Sequence, residues 1–316
     1  MILIISSEQD DHAVVVLEQL QHRNMHAHLL DLSEFPQHLP LSIRYTQQAS
    51  SSYQASLGSL DLAAVKVVWW RRPQPFQPHP DITDQAALSF VYAESHAAVS
   101  GLWLNTDAFW INHPTRDDEA AHKVHQLKVA QAVGLEIPTT LITNDPARAR
   151  AFVSTFGAER TIYKAFSGTK EAWRETRVLR GDEVEMLDNV RYAPVIFQEY
   201  IPARVDLRIT VVGEAIFPVA IYSQDTSYHF DYRMDMDSAR VEAFELPAEV
   251  QSLLRQYMRR LGLVYGAIDM RLTPDGRYVF LEVNPSGQWL FVESRSRLPI
   301  TEAVVDLMCR HAIGEG

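Results

Sequence analysis

The chain has 316 residues, 47% of them hydrophobic, with a formal net charge of −11 and a single cysteine, Cys309. That length has room for about two or three domains with ordinary cores. The charge argues against broad binding along a nucleic-acid backbone, and one cysteine excludes an internal disulfide and a multi-cysteine zinc site.

Residues 2–5 read as a buried strand. A helical pattern follows from Ala13 to His22, with Val14, Leu17 and Leu20 apolar, and then a strand from His26 to Leu32. Strand, helix, strand in that order places the chain in the α/β class. The first β-α turn, Ser6-Ser7-Glu8-Gln9-Asp10, lacks the glycine-rich dinucleotide fingerprint, so no standard nicotinamide site is expected. The apolar start is too short for a secretory segment and lacks a basic flank. No run approaches the roughly 20 apolar residues that cross a bilayer. A soluble cytoplasmic protein with no membrane or nucleic-acid partner is the expectation. Val65 to Trp70 is another strand, with Trp69 and Trp70 read as core at a sheet end, and Arg71-Arg72-Pro73 ends it.

Four prolines make residues 73–80 a loop, and a long helix is expected over 84–102. Asn112-His113-Pro114 marks a boundary, after which one helix is predicted from Asp117 to Val133, closed by Gly134. A strand Thr139–Thr143 and a helix opened by Asn144-Asp145-Pro146 come next. Lys164 ends a strand and runs into a Ser167-Gly168 turn, whose N–H groups could cover phosphates that the lysine neutralises. Lys123 is a second candidate of this kind, and both lysines also suit a solvated surface. Residues 182–189 are acidic and fit a short helix or an exposed loop. From Val195 to Val212 an apolar run is followed by Asp206 and Arg208 on one strand face. There a carboxylate could bind ribose hydroxyls and a guanidinium could grip a phosphate, or the pair could simply face solvent.

The segment 266–287, GAIDMRLTPDGRYVFLEVNPSG, carries the sharpest signal. Two strand-like runs flank a Pro274-Asp275-Gly276 turn, with Asp269 on the first and Glu282 and Asn284 on the second. Glu282 and Asn284 share a strand face, and the hairpin can fold Asp269 opposite them. Three hard oxygen donors gathered in this way suit Mg²⁺ completed by nucleotide phosphates and water; read alone, they also suit a solvated face. No pair of the 12 histidines is spaced beside an acid as a zinc site would need, and none is predicted.

These residues resemble the ATP-grasp carboxylate–amine ligases. Asp269, Glu282 and Asn284 match that family's D…E-x-N metal pattern, and Gln198-Glu199-Tyr200-Ile201 looks like its adenine-binding hinge. The resemblance implies ribose binding by Asp206 and nucleotide binding by Lys123 and Lys164. A narrower resemblance, to the microviridin-type (graspetide) ligases that macrocyclise ribosomal peptides, is carried by several strings. They are WWRRP (69–73), HQLKVAQAVGLEIPTTLITNDP (125–146), APVIFQEYI (193–201), DLRITVVGEAIFPVAI (206–221), DYR (231–233) and FLEVNPSGQWLFVE (280–293). Tyr232 stands where that group usually has tryptophan, which keeps the aromatic ring.

That group phosphorylates an Asp or Glu side chain of a precursor peptide with ATP, and a Ser or Thr hydroxyl or a Lys amine then displaces phosphate. The resemblance implies an ATP-grasp fold in three parts: an α/β pre-ATP-grasp domain (1–112), a central lid domain (113–195) and a C-terminal domain (196–316), with ATP between the last two. It implies ATP and Mg²⁺ as cofactors, a precursor peptide of leader plus core as partner, and a homodimer. Arg208 would stabilise the transferring phosphoryl group, Arg233 would serve the same pocket or hold peptide, and Ser286 with Gly287 would shape the acceptor floor or merely close a turn. The acidic stretch Asp182–Asn189 and the aromatic segment Tyr222–Tyr232 are candidates for leader capture, and equally for solvated loops. Two other functions fit the broad motifs: a ligase adding an amino acid to a small molecule or protein terminus, and an inactive peptide-binding scaffold.

Overall fold

The computed structural model describes residues 1–47, 53–166, 177–225 and 238–314. Near the start lie β1 (Ile2–Ile5), α1 (Asp11–His22), β2 (Ala27–Leu30), a small meander of β3 (Leu41–Tyr45), β4 (Tyr53–Leu57) and β5 (Leu60–Asp61), then β6 (Val67–Trp70), α2 (Gln85–Leu104) and β7 (Phe109–Ile111). The larger sheet is parallel in the order β2-β1-β6-β7, which explains the unbroken apolar run of β1: it has a strand on either side and is fully buried. Asp10 caps α1 by accepting the Ala13 N–H. The buried stripe of α1 is Ala13, Val16 and Leu20, rotated from the Val14–Leu17 face expected from spacing.

The single helix expected from Asp117 is instead two, α3 (Pro114–Ala121) and α4 (Lys123–Val133), with extended backbone at His122 between them. Next come β8 (Thr140–Thr143), α5 (Pro146–Phe156), β9 (Thr161–Lys164), β10 (Arg177–Val178) and β11 (Val195–Glu199), an antiparallel sheet in the order β10-β9-β11-β8. The acidic stretch belongs to a 3₁₀ helix, Gly181–Tyr192.

The rest is β12 (Val205–Val212), β13 (Ala215–Tyr222), β14 (Arg240–Ala243), α6 (Ala248–Leu261), β15 (Tyr265–Leu272), β16 (Tyr278–Asn284), α7 (Leu290–Ser296) and α8 (Ile300–Ile313). Its antiparallel sheet runs β14-β13-β12-β15-β16. α6 lays Leu254, Tyr257, Met258 and Leu261, one helical stripe, on Leu207, Ile209, Ile268 and Met270. Residues of α7 and α8 (Val292, Val304, Met308) share a core with α1 and β1, so the first and last parts of the chain pack as one body. Cys309 lies on α8 and is half-buried. Among the described residues no helix is long and apolar enough to cross a membrane.

Candidate active site

Arg208 on β12 is the register partner of Asp269 on β15, and Asp269 that of Glu282 on β16. Directly opposed residues project from the same face, so three charged side chains form a row across three strands. A bulge between Asp269 and Met270 makes this possible: Met270 pairs with Phe280, and Leu281 has no opposite number. Regular alternation would put Phe280 on the Glu282 face. The extra residue instead sends both Phe280 and Val283 into the core and keeps Glu282 and Asn284 outside it.

Each acid in the row has a cation beside it. Arg208 Nη1 donates to both Asp269 oxygens at 3.1 Å, and Nη2 donates to the Gln288 carbonyl at 3.0 Å. Lys123, the first residue of α4, forms an ion pair with Glu282. The helix is held there by Gln126, one turn on. Its amide oxygen accepts the Val283 N–H at 3.0 Å and its nitrogen donates to the Val283 carbonyl at 2.9 Å, pairing the backbone of the edge strand between Glu282 and Asn284. The solvent-facing reading of Asp206 and Arg208 is overturned, since both are buried.

Among the described residues no three His, Cys, Asp or Glu side chains gather as a metal cluster. The donors are two carboxylates and the Asn284 amide, whose oxygen accepts the Ser286 N–H at 3.0 Å. This set fits Mg²⁺, which keeps waters and takes phosphate oxygens rather than filling its shell with protein. The Lys123 ammonium already stands as a cation against Glu282, which lies 25% exposed.

At the hinge, Gln198 is buried and donates to Thr140 Oγ1 at 2.9 Å, while the Glu199 N–H bonds the Thr139 carbonyl at 2.8 Å. Asp206 accepts from Arg271 Nε at 2.8 Å and from Ser223. Arg271 also donates to the Ile201 carbonyl at 2.7 Å and lies 5.4 Å from the Tyr200 ring. Asp206 thus fixes the hinge through Arg271. Lys164 is half-buried at the end of β9, opposite Ile196. Ser167, Gly168 and Arg233 lie outside the described residues, as does most of the Tyr222–Tyr232 segment. In the acidic helix Glu183 pairs with Arg177, whose guanidinium holds its carboxyl down at about 2, and Asp188 pairs with Arg150 at 2.8 Å. Asp182, Glu185 and Asn189 face solvent.

The Pro285–Gly287 turn is where the N-terminal part meets the metal hairpin. Gly287 has no room for a side chain: a Cβ would overlap that of Ala267 and stand 2.8 Å from Arg208 Nη2. Its carbonyl accepts from Tyr265 Oη and from Arg71 Nη1, both at 2.8 Å. Arg71 is wholly buried, bonded also to Asp10 and to the Ser286 carbonyl. Asn112 donates to the Pro285 carbonyl at 3.1 Å. Ser286 Oγ donates to Asp117 on α3 at 3.2 Å, and burial pushes the Asp117 carboxyl up to about 6. Sequence reading missed Arg71, Asn112, Asp117 and Gln126 as site residues. Only Gln126 had a local signal, lying one helical turn beyond Lys123.

A charged row on one antiparallel sheet, with a second antiparallel sheet tied to it through Arg271 and the 198–201 segment, agrees with the ATP-grasp class of ligases. Residues 120–308 match the family described as RimK-like ATP-grasp domain, and residues 1–118 the one described as MvdD pre-ATP grasp domain. The chain belongs to the RimK-like ATP-grasp family. It is similar to macrocyclase MdnC of Microcystis aeruginosa MRC, solved bound with precursor peptide MdnA, at 29% identity over 98% of this chain and 99% of that one, with a TM-score of 0.84. A RiPP-associated ATP-grasp ligase of Chryseobacterium gregarium, in complex with ADP and a leader and core peptide, is 26% identical over 98% and 96% of the two chains, with a TM-score of 0.86. Macrocyclase MdnB of Microcystis aeruginosa MRC is 29% identical over 97% and 98%, with a TM-score of 0.79. Comparison with curated protein sequences gave no match.

Proposed function

We propose that this chain is an ATP-dependent ligase that closes rings in a ribosomally made precursor peptide. An Asp or Glu side chain of the peptide becomes an acyl phosphate, and a Ser or Thr hydroxyl or a Lys amine displaces phosphate to leave an ester or amide. The observation that carries this reading is the intact row Lys123–Glu282–Asp269–Arg208 in a chain similar, over nearly its whole length, to macrocyclases solved with precursor peptides.

A carboxylate resists attack because its charge is delocalised and oxide is a poor leaving group. Bound Mg²⁺ and ATP would supply the phosphoryl group that removes both obstacles. Asp269, Glu282 and Asn284 would hold the metal. Lys123 and Lys164 would neutralise nucleotide phosphates. Gln198 to Ile201, braced by Asp206 and Arg271, would form the nucleoside end. Arg208, fixed by Asp269 and the Gln288 carbonyl, stands where it can stabilise charge on the transferring phosphoryl group and then on the tetrahedral intermediate. Arg233 would serve the Arg208 pocket or hold peptide, and Ser286 with Gly287 would shape the acceptor floor. Leader capture would use the acidic stretch Asp182–Asn189, where Asp182, Glu185, Asp188 and Asn189 are exposed, or the aromatic segment Tyr222–Tyr232. The domain limits at residues 112 and 195, a homodimer and a cytoplasmic location belong to the same proposal.

The test is to seek a short reading frame rich in Thr, Asp and Glu beside this chain's gene and to follow its peptide by mass spectrometry after incubation with enzyme, ATP and Mg²⁺. A loss of about 18 Da per bond is expected, with ADP release that rises only when peptide is present. Peptide-independent ADP release with no mass loss would reject the reading.

A further inference from the structure

Beside the Pro285–Gly287 turn lies a cavity of about 830 Å³ between α2, the proline-rich loop after β6, and α3. Trp70, Phe76, Tyr92, Trp103 and His113 contribute aromatic rings to its walls. Trp70, Trp103, Trp110 and His113 stand edge to face in series, with centroids 4.9–6.2 Å apart, which makes that wall stiff. Asp117 lines the same cavity, and it is also the residue that touches the candidate acceptor floor through Ser286. One carboxylate therefore faces the space where a peptide side chain could enter and the loop that follows the metal hairpin.

The geometry points to Asp117 as the catalytic base that takes the proton of the attacking peptide hydroxyl or ammonium, with the aromatic cavity admitting that acceptor side chain. The inference rests on the ligase reading above and adds to it the second half of the reaction. The acceptor oxygen bonds to the carbonyl carbon of the acyl phosphate as its O–H proton passes to the Asp117 carboxylate. The carbon–oxygen bond to phosphate then breaks, and phosphate leaves with the electron pair. Ser286 Oγ, donating to Oδ1, is the positioning group that holds the carboxylate.

The surroundings suit a base that works near neutrality. Burial raises the Asp117 carboxyl to about 6, with Asp118 on the same helix adding to the rise. Hydrogen bonds from Ser286 and Asn112 and the positive charge of Arg71 oppose it. Tyr92, His96, His113 and Asp118 are the other titratable groups lining the cavity. A base of this strength can remove a proton near pH 7 and return it on product release.

Hydroxylamine separates the two halves, because it traps an acyl phosphate as a hydroxamate without help from a protein base. The peptide encoded beside the gene is incubated with ATP, Mg²⁺ and hydroxylamine, and cyclised peptide is measured against hydroxamate for wild type and Asp117→Asn. The expected result is about a 100-fold fall in the ratio of cyclised product to hydroxamate, with a thermal midpoint at or above wild type. Wild-type cyclisation should also decline below pH ~6, a limb that the variant lacks, and Asp117→Glu should restore product to within about tenfold of wild type. An unchanged ratio in Asp117→Asn overturns the assignment. So does a lowered thermal midpoint with both products lost together, which would mark a structural role. Wild type that yields neither product would instead reject the ligase reading itself, and this inference with it.

Discussion

Asp269 and Glu282 face each other on adjacent strands, where like charges repel. The fold tolerates the pair because Arg208 and Lys123 flank it at either end. That arrangement predicts different phenotypes for its members. Glu282→Gln removes the charge of a proposed metal ligand from a partly exposed position and leaves a polar side chain of the same size. Ligation should fall by a factor on the order of 10²–10³ with little change in the melting curve, and unaltered product formation would remove the metal assignment. Arg208→Ala should lower kcat more than it raises KM for ATP, because its guanidinium is aimed at charge that develops during transfer. A pure KM effect would reassign it to ground-state binding.

At the scale of elements, the position of α4 decides whether Lys123 can reach the row. Gln126 pairs both the N–H and the C=O of Val283 and also donates to the Ala120 carbonyl at 2.7 Å. Gln126→Leu would leave those buried backbone groups unpaired, at about 1–3 kcal/mol each. We predict a lowered melting temperature together with weaker ATP binding, measured by calorimetry; normal affinity in a destabilised variant would separate the helix anchor from the lysine. The convergence of Asp269, Glu282 and Asn284 was legible in the sequence because they lie on consecutive strands around a proline-glycine turn, so local pairing alone brings them together. The bulge at Leu281 was not, since an apolar run reads the same with or without it. The split between α3 and α4 escaped for a similar reason: His122 is neither Gly nor Pro, and nothing local marks the extended backbone there. Arg71, Asn112 and Asp117 reach the Pro285–Gly287 turn across 169 to 216 positions of sequence. Contacts of that range follow from how the layers pack, which no local periodicity records.

At the scale of the whole molecule, the N-terminal sheet and the metal hairpin are joined through a buried polar junction, and that junction predicts a specific sensitivity to acid. His12 on α1 is buried, and its Nε2 accepts the N–H groups of Trp289 at 2.9 Å and Leu290 at 3.2 Å. Only a neutral imidazole with its proton on Nδ1 can accept there. Burial, reinforced by the neighbouring Arg71 charge, lowers the His12 pKa from 6.5 to about 3. The unfolded chain, with His12 at its ordinary value, takes up a proton that the folded protein refuses. The contribution to stability is therefore complete above pH ~6.5 and is lost as pH falls from there toward 3, at up to about 1.4 kcal/mol per unit. Asp117, raised in the folded state, has the opposite sign between about 6 and its ordinary value, so the total curve mixes both. A difference between proteins isolates the histidine. His12→Gln keeps an acceptor but cannot titrate, so urea unfolding at pH 6.5 and pH 5 should show wild type losing about 2 kcal/mol more than the variant. Parallel losses would mean that His12 is not the acid-sensitive link. Because Trp289 follows Gln288, whose carbonyl anchors Arg208, protonation of His12 would loosen the backbone that aims the phosphoryl-stabilising guanidinium. In the folded protein that protonation comes only near pH 3, so the decline of ligation below pH ~6 belongs to Asp117 and should be the same in His12→Gln as in wild type.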